Sequence, residues 1–430
     1  MAARRPAGKR RATLAGGAEL LSQGSDGSQD GGPSAGSGSG ASHMIVAVRI
    51  RPLSKEELAA GKRSCCEVIN GNTVVITKAA ASGVYLQSQQ AKVNEYAFDC
   101  AFGPDATQSQ VYEATAKPYI EDLLSGINVT VFAYGATGAG KTHTMGSSGT
   151  TCGSGGSSSG SGGGGGGDEA AAASGIMPQS LVDVFRGVEA RRRAGSGARA
   201  ETWSVRVSYL EVYNEQILDL LEPGGCLQVC EDKARGVVKV AGLAERRVAS
   251  CDEVLRLLRA GNANRKTEAT GANAVSSRSH AVLQVSVTRA HHDDCGNDVV
   301  RESKLSLIDL AGSERASATN NTGALLRQGA SINKSLLSLA NCINTLAQNA
   351  ARASGGGGGS GGAARAPANV KYRDSKLTRL LKTSLEGRCR VVMIANLNPS
   401  HHTYDDSHNT LHYANRAKDI KVRAALSALS

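Results

Sequence analysis

Residues Gly135 to Thr142 read GATGAGKT and fit GxxxxGK[ST], the pattern of a backbone loop that wraps phosphate groups. Each position has a reason. Gly135, Gly138 and Gly140 let the chain bend so that N–H groups can face an anion, with Ala136, Thr137 and Ala139 small enough not to block it. Lys141 has the length to reach β- and γ-phosphate oxygens, and the Thr142 hydroxyl is a ligand type suited to Mg²⁺. The flanks agree, because the apolar run NVTVFAY precedes the loop and a helical pattern follows. A plain glycine turn would not need the Lys-Thr pair.

Hydrolysis of a bound nucleotide also needs an acid near the metal at the end of an apolar strand, and KLSLIDLAGSE places Asp309 there. Gly312 and Glu314 follow, a glycine whose N–H can turn toward a γ-phosphate and a carboxylate that can be paired or released. A third stretch, NAVSSRSH, puts Ser276, Ser277 and Arg278 into one polar loop before a strand. Taken singly, DxxG is an ordinary strand-end turn and NAVSSRSH a serine-rich one. No NKxD guanine-reading pattern occurs, since NKSL at Asn333 lacks the acid, which favours ATP over GTP. Phosphoryl transfer rests on positioning and electrostatics, so the lack of a Ser–His nucleophile pair says nothing against it.

These loops need a sheet to hold them. MIVAVRI from Met44, NVTVFAY, WSVRVSYLEVY, HAVLQVSV, KLSLIDL and RVVMIAN read as strands, with Trp203, Val205, Val207 and Tyr209 at period two. TQSQVYEATAKPYIEDLLSG, CDEVLRLLRAG and LLRQGASINKSLLSLANCINTLAQ read as helices between them. The order predicts an α/β fold, a central sheet of the P-loop NTPase type flanked by helices.

Composition separates this domain from softer sequence. Of 52 glycines in 430 residues, 10 lie in residues 1–43, 12 in 146–167 and 7 in 354–362, and the remainder is ordinary for a globular chain. The reading is a basic Gly/Ser-rich tail over 1–43, one domain over 44–420 with insertions at 146–175 and 351–368, and a further segment over 421–430. Ten scattered cysteines without CxxC spacing point away from a zinc or disulfide framework and toward a reducing compartment. No run approaches a membrane span and no secretory leader opens the chain, so a soluble, intracellular protein is expected. The net charge of +11 favours an acidic partner surface. His291, His292, Asp293 and Asp294 are expected in a solvated loop between strands rather than around a metal.

In the order GATGAGKT, NAVSSRSH, DLAGSE, the three stretches resemble the phosphate loop, switch I and switch II of the kinesin motor domain. The resemblance runs from about Val46 to Arg423 through VAVRIRPL, SLLSLANCINTLA, YRDSKLTRLLKTSLEG and NTLHYANRAKDIK, and is strongest to the kinesin-eight class. It implies that Arg49, Arg51 and Pro52 line the adenine, with His143 on its other side. It implies that Ser277 ligates Mg²⁺ beside Thr142, that Ser276 touches the γ-phosphate, and that Asp309 reaches the metal through water. Arg278 and Glu314 would pair when the switches close, and Asn333, placed at the start of the switch II helix, would help hold a second water. ATP and Mg²⁺ are the implied cofactors and microtubules the partner, with neither nucleic acid nor membrane expected.

The implied activity is a microtubule-stimulated Mg-ATPase motor, in the cytoplasm on the cytoskeleton, with nucleus or spindle as further settings. The alternatives are a microtubule-binding module without motility, or a filament-independent P-loop switch NTPase. The basic stretch with Arg352, Arg365, Lys371 and Arg373, joined by Lys376, Arg379 and Lys382, would face tubulin. KVRAALSALS after Ile420 holds the place of a neck linker, and dimerisation is expected only if a stalk lies beyond it.

Overall fold

The computed structural model describes residues 42–78, 92–147, 175–194, 201–232, 237–267, 277–292, 297–314, 324–354, 367–386, 389–422 and 428–429. Eight strands form the main path of the central sheet: β1 (Ile45–Ile50), β2 (Cys100–Phe102), β3 (Val129–Tyr134), β4 (Thr202–Tyr213), β5 (Arg246–Val248), β6 (His280–His292), β7 (Asp298–Asp309) and β8 (Arg390–Leu397). Their spatial order is β5-β4-β6-β7-β3-β8-β1-β2. From β7 to β2 neighbours run parallel, and from β5 to β7 they run antiparallel. Two short strands attach off this path, Gln216–Asp219 beside β4 and Ala428–Leu429 beside β7.

Parallel strands must be covered on both faces, which explains why β3 is VTVFAY with every residue buried and β8 is buried from Val391 onward. Alternate side chains feed two cores. Val131, Ala133, Val392 and Ile394 pack with Met145 of α1 (Lys141–Met145), Leu181 and Val184 of α2 (Ile176–Ala194) and Val254 and Leu258 of α3 (Cys251–Thr267). Phe132, Tyr134, Val48 and Met393 pack with Leu339 and Ile343 of α4 (Ala324–Ser354) and Leu411 and Ala414 of α5 (Tyr404–Ala417). Each such fully buried aliphatic side chain contributes about 1.5–3 kcal/mol, so the layers are held by the sheet's own alternation. The single tryptophan, Trp203, begins β4 on the first of these faces, buried between the guanidinium groups of Arg191 and Arg289 at 5.8 and 5.7 Å.

Three expectations shift. α4 begins at Ala324, so Asn333 lies inside the helix rather than at its start, and the same helix continues to Ser354, past residue 351. The strong apolar stripe of this helix carries it through Gly329, whose cost of about 1 kcal/mol is small beside the burial of Leu336, Leu339 and Ile343. His291 and His292 end β6 opposite Val299 and Asp298, because the antiparallel ladder with β7 outlasts the apolar pattern; the stretch 293–296 lies outside the described residues. At the other end of the domain Ser42 and His43 pair with Val422 and Lys421, so the short strands flanking the 44–420 stretch meet each other.

The 148–174 stretch lies outside the described residues, but its two anchors are well placed. Gly146 and Gly175 both hold positive φ, and a Cβ on Gly175 would fall 2.7 Å from the Gly146 backbone. The chain therefore leaves and rejoins the fold at one point. Replacing 148–174 by a turn of about four residues is expected to relieve about 1–2 kcal/mol of closure entropy and leave the thermal midpoint equal or slightly higher. A fall of many degrees in a melting experiment would show that the stretch makes packing contacts that its composition does not suggest.

Candidate functional site

The topology brings the three loops to one edge. β3 and β7 are parallel with Ala133 opposite Asp309, and β6 is antiparallel to β7 with Ala281 opposite Asp309. The carboxyl ends of β3 and β7 and the amino end of β6 thus meet, although their sequences lie far apart.

The phosphate loop follows β3. Gly135, Gly138 and Gly140 have φ of 146°, 75° and 97°, all positive, and a Cβ at Gly135 would strike the Asn396 carbonyl oxygen at 2.3 Å. Lys141 is 6% exposed, and its ammonium donates to the Gly135 and Ala136 carbonyls at 2.8 and 2.9 Å. Burial lowers the pKa of this ammonium, opposed by the charges of Asp309 and Glu314. Ala139 is buried as expected of a small residue under the loop.

Asp309 is fully buried. Its Oδ2 accepts from the Thr142 hydroxyl at 2.9 Å and the Ser147 hydroxyl at 2.7 Å, with the Arg265 guanidinium 3.9 Å away. Its Oδ1 has no hydrogen-bond partner among the described residues. A buried acceptor without a donor is costly unless something supplies one, and a metal-bound water would. The donor set therefore fits Mg²⁺: Thr142 for direct ligation, Asp309 through water, with Ser277 within the same loop cluster.

The switch loops are bound to the phosphate loop and to each other. Gly312 donates its N–H to the Ser277 carbonyl at 2.9 Å, and Ser313 donates to the Gly135 carbonyl at 3.1 Å. Glu314 accepts the Thr137 N–H at 2.7 Å and its hydroxyl at 2.6 Å. A Cβ on Gly312 would lie 2.2 Å from the Thr137 hydroxyl oxygen and 2.3 Å from a Glu314 carboxylate oxygen, so a larger residue there would displace the Thr137–Glu314 contact. Among the described residues no ion pair joins Arg278 to Glu314, whose carboxylate is taken by Thr137 instead. Ser276 lies outside the described residues.

Two residues to which the sequence reading gave no role brace the site. Arg265 of α3, buried, pairs with buried Glu211 of β4 at 3.3 Å and donates to the Ser279 hydroxyl and carbonyl at 3.1 and 2.8 Å. His280 accepts the Ala311 N–H on Nδ1 at 3.0 Å, which leaves Nε2–H to donate to the Ser335 hydroxyl of α4 at 2.8 Å. Burial keeps this imidazole neutral, pushing its pKa down to about 3. It ties switch II to the long helix. A buried polar residue placed beside the serine-rich loop was the available signal for His280. Nothing local marks Arg265 as the partner of Glu211.

The other lip carries Arg49, Arg51, Pro52 and His143. Arg49 turns inward, donating to Gln108 Oε1 at 2.6 Å, the Thr144 hydroxyl at 3.1 Å and the Ala106 carbonyl at 3.2 Å. Arg51 is bidentate to Glu57 at 2.7 Å and donates to the Gly138 carbonyl at 2.6 Å, holding the Glu57 pKa at about 2. Both guanidinium groups are thus engaged with protein, and they shape this lip as braces, with Pro52 exposed beside them. His143 is next to Gln108, which donates to its carbonyl at 2.7 Å. Burial and then the charge of Arg49 lower the His143 pKa, so its ring presents a neutral face.

A mixed sheet with a glycine loop between strand and helix, and two switch loops meeting it, defines a phosphate-loop nucleotide-binding protein. A sequence profile of the kinesin motor domain matches residues 49–420, and the chain belongs to the kinesin family. It is 42% identical over 397 residues to the kinesin-like protein KIN-8A of Oryza sativa subsp. japonica, covering 92% of this chain and 45% of that protein. To the kinesin-like protein KIF18B of Mus musculus it is 40% identical over 396 residues, covering 90% and 42%. Both relatives are members of the kinesin-eight class, in agreement with the sequence reading. The chain spans less than half the length of either. Among solved structures, a fast kinesin superposes with TM-score 0.70 at 33% identity, covering 90% of this chain and 94% of that one. A KIF14 dimer bound by two heads to a microtubule with AMP-PNP gives 0.72 at 30% identity, covering 90% and 96%.

Proposed function

We propose that this chain is a motor domain that hydrolyses ATP with Mg²⁺, is stimulated by microtubules, and converts phosphate loss into movement of α4 and of the segment after Ile420. The observation that carries the reading is the meeting of Lys141, Thr142, Asp309, Gly312 and Glu314 at one sheet edge, joined to a 31-residue helix through His280 and Ser335. Bound Mg²⁺ would neutralise charge on the β- and γ-phosphate oxygens. The protein's own part is positioning. Lys141 would exchange its loop carbonyls for phosphate oxygens, Thr142 would ligate the metal, and Asp309 would hold a metal-bound water. Ser277 and Ser276 would complete the metal and γ-phosphate contacts, and Arg278 would pair with Glu314 once Thr137 is released. Asn333, in the third turn of α4, is placed to orient a water on the helix side. The kinesin-eight likeness adds plus-end motility and end depolymerisation as outputs, on the microtubule cytoskeleton, with the spindle or nucleus as settings.

Steady-state ATPase of the recombinant chain with and without microtubules tests this reading directly. Turnover that ignores microtubules would leave a filament-independent NTPase, and microtubule binding without turnover would leave a binding module.

The charged surface that would meet tubulin is smaller than the sequence suggested. Lys382 is paired to Glu231 and Glu386, and Arg379 donates to the Val229 carbonyl at 3.0 Å, so both hold the hairpin of Gln228–Asp232 and Val237–Ala241. Lys371 and Arg352 are exposed, and Arg373 is mostly so, 3.6 Å from Glu231; Arg365 lies outside the described residues. Alanine at Arg352, Arg365, Lys371 and Arg373 together is expected to raise the microtubule concentration for half-maximal ATPase about five- to tenfold and flatten its salt dependence, with basal turnover unchanged. An unaltered microtubule requirement would remove this face from the interface.

A further inference from the structure

Asp309 is held by more than the phosphate-loop threonine. Ser147, 2% exposed and two residues beyond the last residue of α1, donates its hydroxyl to Asp309 Oδ2 at 2.7 Å. Its own position is fixed from two further directions. Its N–H donates to the Thr142 carbonyl at 3.3 Å, and its carbonyl accepts from Asn262 Nδ2, whose Oδ1 in turn accepts from the Tyr209 hydroxyl at 2.8 Å. Oδ2 thus takes two hydroxyl donors with the Arg265 guanidinium beside them, while Oδ1 takes none among the described residues. A carboxylate pinned through one oxygen keeps the other aimed.

If Thr142 were the sole hydroxyl on Asp309, the carboxylate would be free to rotate whenever Thr142 shifted to serve a metal. Ser147 supplies a donor that owes nothing to the metal, set in a buried chain that reaches back to Asn262 of α3 and Tyr209 of β4.

We propose that Ser147 is a positioning residue of the metal site, holding Asp309 so that Oδ1 stays directed at the water of a bound divalent cation. The proposal rests on the Mg-nucleotide reading given above. Removing a group that orients a carboxylate behind a metal typically costs about 10- to 100-fold in metal affinity.

The test follows release of N-methylanthraniloyl-ADP from the parent chain, Ser147→Ala and Ser147→Gly over a titration of free Mg²⁺, with thermal midpoints measured alongside. Expected are folded variants that need about tenfold more Mg²⁺ than the parent to retain the nucleotide, yet match the parent's release rate at saturating Mg²⁺. A general weakening of the fold would show in the thermal midpoint measured without metal or nucleotide. Mg²⁺ midpoints within twofold of the parent in both variants would overturn the role of Ser147 while leaving the metal site intact. Release from the parent that is indifferent to Mg²⁺ or to its chelation would overturn the metal reading itself, and the role of Ser147 with it.

Discussion

Glu314→Ala is expected to lower microtubule-stimulated turnover about 10²-fold or more while ATP affinity stays within a few fold of the parent. The carboxylate touches the phosphate loop only through the Thr137 N–H and hydroxyl. Both of those donors are at an exposed position and regain water when the acid is removed, so the cradle around Lys141 is not strained by its loss. On the proposed mechanism what disappears is the acceptor that Arg278 would take as the switches close, an interaction formed on the way to the transition state and therefore read in kcat rather than in binding. Single-turnover hydrolysis and equilibrium binding of a fluorescent nucleotide separate the two effects. Parent-rate hydrolysis by this variant would refute the switch assignment.

Lys141→Met is expected to split stability from function. The ammonium is almost wholly buried, satisfied by two loop carbonyls, and its pKa is lowered by desolvation. The Gly135 and Ala136 carbonyls keep the Ser313 and Ala139 N–H groups as donors and Arg265 stays beside Asp309, but the buried Asp309 loses one compensating charge, so the thermal midpoint should hold or fall modestly. Nucleotide affinity should fall by about 10²-fold or more, since charge-assisted contacts to phosphate are worth about 1.5–3 kcal/mol each. Retention of nucleotide at the parent affinity would mean that Lys141 stays with Gly135 and Ala136 and does not serve phosphate.

The phosphate loop and Asp309 were legible because their chemistry is written in consecutive residues: a glycine pattern after a strand, an acid at a strand's end. The sheet was legible because the unbroken apolar run around Val131 and Phe132 marks a strand covered on both faces, while Trp203, Val205 and Val207 mark one face at period two. The bracing was not. Arg265 and Glu211 are 54 positions apart, Ser147 and Asp309 are 162 apart, and neither pair has a spacing that a helix or strand would impose. Arg49 and Arg51 show the reverse case. Their motif was visible, but which way a guanidinium turns depends on Gln108, Glu57 and the Gly138 carbonyl, partners that only the folded chain brings near. Asn333 was put at the start of its helix by the resemblance, although the helical pattern already runs from Leu325, and the structure sets it in the third turn.

The placement of Trp203 has an optical consequence. The residue opens β4 at Thr202–Tyr213, and the nucleotide edge lies at that strand's other end, where Val212 pairs with His280. Nine residues of extended chain put about 30 Å between the indole and the switch loops. Intrinsic tryptophan emission, quenched or shifted by the flanking guanidinium groups, will therefore register the unfolding of the sheet's far edge and stay silent as nucleotide comes and goes. A denaturation curve read at this one fluorophore measures the scaffold by itself, against which any signal from an engineered probe at the switches can be taken as local.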